Sequence, residues 1–306
     1  MKKIIFSMII ILAILASCTY MQTKKEEIKV PEIHKGTQGV VLQFLPELPP
    51  SEVYEGRYFE IMPKIYNKGA ADIQNGMISI GYEEQQIYFT SESHDKFDLA
   101  GKSVFYPEGT ETTKSFRAQA RLLPPQFEHF ETAIVASACY PYKTEATALV
   151  CIDTDITNIV RTKPCTTKKI TFSGGQGAPV AVISVEPKML AHEDSEKIQP
   201  EFIIKLENAG KGQAMVKDKV FDACTGKPLG EETWNKVELR ASLSDVELNC
   251  RPEKIKLKKD QRIVCTLEGG IYKEEGTYLA PLSIEVTYGY MDRIVKGIEI
   301  KKIEIK

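Results

Sequence analysis

Six cysteines in the body of the chain, Cys139, Cys151, Cys165, Cys224, Cys250 and Cys265, are the side chains best suited to chemistry. An even number of thiols with no Cys-x-x-Cys spacing fits a disulfide framework, with free buried thiols and a zinc site as rival readings. Cys139 and Cys151 lie equidistant from Glu145, the expected tip of a hairpin, and Cys250 and Cys265 flank the polar stretch 251–262. Pairing within each leaves Cys165 and Cys224 to bridge each other. The four histidines, His34, His94, His129 and His192, each stand alone, and no Gly-x-Ser-x-Gly or His-Glu-x-x-His spacing occurs. No catalytic residue or cofactor is assigned, and the chain is read as not an enzyme. Asp153-Thr154-Asp155 alternates oxygen ligands as a calcium loop begins, but Asn158 stands where that loop needs Gly and Pro164 where it needs a bidentate Glu. An EF-hand is excluded; Asp153 and Asp155 remain a weak calcium candidate beside the plainer reading of a polar strand end.

The amino terminus addresses the chain. Lys2 and Lys3 precede the apolar run Ile4–Ile14, which ends at Leu15-Ala16-Ser17 and is too short to span a bilayer comfortably. Leu15-Ala16-Ser17-Cys18 resembles the lipobox of prokaryotic lipoproteins, which implies cleavage before Cys18 and its acylation; an ordinary secreted protein is the alternative. Residues 1–17 are read as signal peptide and 18–38 as a lipidated tether, polar and without an apolar period. Of the 40 basic and 42 acidic residues, Lys2 and Lys3 leave with the signal, so the mature chain has 38 against 42, a net of −4. That balance argues against nucleic acid as a partner and makes lipid, not charge, the membrane contact.

The elements that must carry these residues are strands. Short apolar segments alternate with turn residues, and few stretches keep a helical period over three turns. Sliding the chain by 141 residues aligns Leu42, Phe44 and Pro46 with Ile183, Val185 and Pro187, and Ile65, Asn67 and Gly69 with Leu206, Asn208 and Gly210. An offset of 148 brings Tyr140 and Tyr142 onto Tyr288 and Tyr290. Each repeat is expected to end in a hairpin, with strands at 132–141 and 145–153 in the first and 279–289 and 293–303 in the second. Tyrosines two apart project from one face of a strand. They are candidate partner-binding side chains that could stack on sugars; covering the open end of a sandwich is the competing role. The organisation predicted is a first β-sandwich over 39–155, a glycine-containing linker over 156–178 and a second sandwich over 179–306. The run Ser173–Gly177 lacks the Lys-Ser/Thr and the helix of a phosphate loop.

The strand-and-turn segments Tyr58–Gly69 and Glu201–Gly210 resemble the Asn-x-Gly strand of CARDB-type immunoglobulin-like domains of bacterial and archaeal surface proteins. The resemblance implies two tandem immunoglobulin-like β-sandwiches, hence an all-β fold, displayed outside the cytoplasm for adhesion or spacing. The expected function is that of a non-enzymatic, lipid-anchored module of the cell envelope, on the cell membrane or outer membrane, acting as a binding, adhesion or structural platform. Its partner would be an envelope protein or glycan. The alternative is an envelope lipoprotein with an unrecognised hydrolase or glycan-binding site.

Overall fold

The computed structural model describes residues 32–257 and 261–303. The signal peptide, Cys18 and most of the tether fall outside the described residues. Among those described, the fold is all-β, with one short α-helix, Val220–Cys224, and a few 3-10 turns. No helix among them is long and apolar enough to cross a membrane. Alternation of buried and solvent-facing residues runs through most of these strands: one side is mainly Ile, Val, Phe, Tyr or Ala and the other mainly polar, so a sheet can bury one face and hydrate the other.

Two strands of 24 residues organise the molecule, His129–Ile152 and Tyr278–Lys301. They pair antiparallel over their whole length, His129 opposite Lys301 and Ile152 opposite Tyr278. Around them a nine-stranded sheet is completed on one side by Ile73–Gly81 and His94–Leu99, from the first repeat, and on the other by Lys236–Leu243 and Val246–Glu247, from the second. The remaining strands form smaller sheets. In the first repeat these are Val40–Phe44 with Pro63–Asn67 and Glu111–Thr113, and Tyr58–Ile61 with Phe116–Ala120 and Ile87–Phe89. The second repeat supplies a six-stranded sheet built on Val180–Ala191 and Lys197–Asn208. Buried residues of both repeats share one large core that includes Ile61, Ile65, Ile134, Phe202, Ile284 and Ile300, beside a smaller cluster of Cys139, Met215, Val220, Cys224 and Met291.

The expected hairpins do not form. The segments expected at 132–141 and 145–153 are parts of one continuous strand that ends at Ile152, and those at 279–289 and 293–303 are parts of one that ends at Lys301. At the anticipated tip, Lys143-Thr144-Glu145 offers no residue suited to a tight turn, and the buried positions Tyr142, Thr144 and Ala146 carry the alternation straight through. Each strand therefore continues into the neighbouring repeat. Residues 135–139 pair with Met77–Gly81 of the first repeat, whereas 143–148 lie opposite 282–287, which pair on their other side with the second repeat's Glu238–Leu243.

This exchange has an internal two-fold. Adding 148 carries Tyr140 onto Tyr288 and Tyr142 onto Tyr290, while the observed register sets Tyr140 opposite Tyr290 and Tyr142 opposite Tyr288. The local axis passes through the facing pair Pro141 and Gly289. Flanking strands obey the same operation: Met77 opposite Cys139 and Gly81 opposite Val135 correspond to Glu238 opposite Thr287 and Ser242 opposite Ser283.

The picture of two separate sandwiches on a linker is thereby corrected, because Glu32–Lys306 is one compact unit. The segment read as linker is held down. Gly36 donates its amide to the Gly174 carbonyl at 2.6 Å, and Ala70 donates to Gly177 at 2.7 Å. Gly175 and Gly177 have positive φ, and a Cβ on Gly175 would meet the Gly36 carbonyl oxygen at 2.3 Å.

Candidate functional site

All six body cysteines are disulfide-bonded. Cys250 pairs with Cys265 as expected, since Asn249–Arg251 and Ile263–Thr266 are antiparallel neighbours with these residues in register. The other two pairings are corrected: Cys139 bonds Cys224, and Cys151 bonds Cys165. A strand that does not turn back cannot bring Cys139 to Cys151. Cys139 also lies on the opposite face of its strand from Tyr140, and on that face the short helix Val220–Cys224 covers it together with Met215 and Met291. The Cys139–Cys224 bond therefore ties the first repeat to the second. Cys151–Cys165 fastens the segment that follows the first long strand. Three disulfides place the protein in an oxidising, extracytoplasmic environment.

The four tyrosines singled out as partner-binding candidates are interior. Tyr140, Tyr142, Tyr288 and Tyr290 are between 0% and 4% exposed, so none can stack on an external sugar, and this reading is withdrawn. They form one aromatic cluster around the axis, with ring centroids 5.4–6.3 Å apart. Their hydroxyls join the two motifs that the sequence repeats. Tyr140 and Tyr288 accept the amide N–H of Val40 and Val180, at 2.9 and 3.3 Å. Tyr142 and Tyr290 donate to the Asn67 and Asn208 side-chain oxygens, at 3.3 and 2.9 Å. Each asparagine then donates its side-chain N–H four residues onward, to Ala71 and Gly212. The glycine of Asn-x-Gly is needed for close approach: a Cβ on Gly69 or Gly210 would lie 2.0 or 2.3 Å from the hydroxyl of Tyr142 or Tyr290. Neither glycine has positive φ. Burial pushes all four phenols above their ordinary range.

One pair breaks the symmetry. Residue 144 corresponds to 292; Thr144 Oγ1 lies 2.9 Å from the Tyr288 hydroxyl, whereas the equivalent Tyr140 donates to Asp292 Oδ2 at 2.7 Å. Asp292 sits at the rim of a cleft of about 320 Å³ whose lining includes Thr37, Pro179, Gly210, Lys211 and Tyr290. Burial raises its carboxyl from 3.8 to about 6, and the Tyr140 hydroxyl opposes the shift.

A cleft of about 830 Å³ is lined by residues that include His34, Glu145, Phe172, Gln176, Arg240 and Glu285. Glu145 faces Glu285, and Glu285 faces Arg240, across three adjacent strands. Such a row resembles paired acids, but Glu145 is exposed and ion-paired with Lys143, and the cleft is open to water.

Asp153 and Asp155 do converge, although a lysine takes the place proposed for calcium. Lys163 Nζ lies 2.7 Å from Asp153 Oδ2, 3.0 Å from the Asp155 carbonyl, 3.0 Å from Asn158 Oδ1 and 3.3 Å from Asp155 Oδ2. The amides of Val160 and Ile159 donate to Asp155 and, with Thr157 and Lys163, lower its carboxyl to about 2. The ammonium supplies the positive charge, so the calcium reading is corrected to an internal ion pair. Among the described residues no group of acidic, histidine and cysteine side chains could hold a metal ion. The sequence reading missed Lys163; its position ten residues after Asp153 gives no periodic signal.

No family model matches the chain, and no curated protein matches it. Among solved structures, a non-toxic crystal protein from Bacillus thuringiensis aligns at 11% identity over 86% of this chain and 85% of that chain, with a TM-score of 0.10. A score of that size carries no likeness of fold.

Proposed function

We propose that the protein is a non-enzymatic, lipid-anchored component of a prokaryotic cell envelope whose β unit serves as a binding or docking platform. The observation that supports this most is the welding of the two repeats: a shared pair of 24-residue strands and the Cys139–Cys224 bond leave no hinge of the kind a closing receptor uses. Leu15-Ala16-Ser17-Cys18 would supply the anchor, and the tether would lift the β unit from the headgroups. Replacing Cys18 with Ser tests the reading. The variant is expected in the soluble extracytoplasmic fraction, and full retention on membranes after high salt and mild base would overturn the lipid anchor.

A further inference from the structure

We infer that the outer face of the sheet formed by Tyr58–Ile61, Phe116–Ala120 and Ile87–Phe89 binds an acidic polysaccharide. Tyr58 and Tyr88 both lie opposite Gln119, one on each side, so two aromatic rings flank an amide on a single row of the sheet. Alternate strands are about 9.5 Å apart, which sets the spacing of the two tyrosines. Unlike the buried tyrosines at the axis, these are 51% and 48% exposed. Arg117 of the central strand and Arg121, the residue just past its end, bracket Gln119 on the same face. The Arg117 guanidinium carbon lies 4.6 Å from the Tyr58 ring centroid and that of Arg121 lies 5.5 Å from the Tyr88 centroid.

The chemistry of this face points to one ligand class. Exposed rings two strand spacings apart offer C–H contacts to pyranose rings, and the Gln119 amide, which donates to the Gly56 carbonyl at 2.8 Å, keeps its oxygen for a sugar hydroxyl. Neither arginine makes an ion pair with a carboxylate among the described residues. Arg121 uses Nε on the Glu84 carbonyl, which leaves its terminal nitrogens for an anion. Glu60, opposite Arg117 in register, is engaged by the Ser115 hydroxyl at 2.9 Å. Two stacked guanidiniums beside two rings suit a chain of sugars that carry carboxylates, since each arginine can grip a carboxylate bidentately. Tyr88, Gln119 and Arg121 also line, with Leu122, an open groove of about 570 Å³. The inference rests on the platform reading and gives that platform a ligand.

The test uses the mature chain carrying Cys18→Ser, with polygalacturonate oligosaccharides as the probe and the fully methyl-esterified oligosaccharides as the uncharged control. Binding to the acid form is expected, at least about tenfold tighter than to the ester and weaker as salt rises. Tyr58→Ala with Tyr88→Ala should weaken binding of the acid form roughly tenfold or more. Arg117→Gln with Arg121→Gln should bring acid and ester within about twofold of each other. Thermal unfolding of each variant is compared with the parent, so a folding defect is recognised; Tyr58→Phe with Tyr88→Phe, which keeps the rings, should bind as the parent does. Equal affinity for acid and ester, no binding by a folded parent, or acid-form binding that survives both pairs of substitutions would overturn the proposal, as would phosphatidylglycerol-vesicle binding lost in both pairs while the parent leaves the acid form unbound. Because the anchor is absent from every arm, these outcomes are independent of the membrane test at Cys18.

Discussion

Replacing Asp292 with Asn should stabilise the protein at neutral pH and leave it nearly unchanged near pH 4. In the unfolded chain the carboxyl ionises near 3.8, and in the fold burial raises this to about 6. Between these values the folded state binds more protons than the unfolded state, so the contribution of this group to stability falls as pH rises and stays lost above about 6. At 1.36 kcal/mol for each pH unit the difference amounts to about 3 kcal/mol. The amide keeps an oxygen to accept the Tyr140 hydroxyl that now bonds Asp292 at 2.7 Å, and it removes the charge. Urea unfolding of parent and variant at several values from pH 4 to pH 7.5 measures the effect as a difference. In that difference the acids of the Lys163 cluster, whose carboxyls are lowered and titrate below this window, cancel. The variant should gain about 2–3 kcal/mol at pH 7.5 with an unchanged denaturant slope. A difference that stays flat across the range would show that Asp292 carries no penalty for ionising in the fold, and the account of the broken symmetry at 144 and 292 would fail.

Other predictions concern the motifs at the axis and the covalent ties. Gly210→Ala should cost about 1–3 kcal/mol, because its Cβ would meet the Tyr290 hydroxyl at 2.3 Å and Pro179 at 2.6 Å. Adding Tyr290→Phe should recover part of that loss in thermal unfolding; strictly additive losses would contradict the close-approach argument. Removing the Cys139–Cys224 bond by a double Ser substitution should cost about 4–5 kcal/mol, from the long loop it closes over a sequence separation of 85. Removing Cys151–Cys165, separated by 14, should cost about 3 kcal/mol, so chemical denaturation should rank the two in that order.

What the sequence disclosed was local. The strands, the repeat and its Asn-x-Gly and Tyr-x-Tyr motifs could be read because each rests on period-two alternation or on short spacings. The 141-residue offset itself has a structural cause: Val40 and Val180, both opposite the motif asparagine, are 140 apart, and a register shift between Val182 and Ser184 supplies the extra residue. The exchange of the long strands was harder to see, because two successive runs of alternation read alike whether a hairpin or a straight strand joins them. The unbroken alternation through Tyr142, Thr144 and Ala146, with no Gly, Asn or Asp between, was the available signal. Pairing cysteines by their distance from an assumed tip then failed with that tip. Cys139's odd position, opposite in face to the tyrosines, pointed to a partner from outside the hairpin. The aromatic and arginine face at Tyr58, Tyr88, Arg117 and Arg121 draws on three segments far apart in the chain, and only the pairing register assembles it.

The claim that the two repeats exchange strands into one unit is tested most directly by mapping the disulfides of the protein isolated from its native source under alkylation. Non-reducing peptide mapping should recover Cys139 linked to Cys224, Cys151 to Cys165 and Cys250 to Cys265. Recovery of Cys139 linked to Cys151 would mean that the first long strand folds back as a hairpin, and the shared sheet would be wrong.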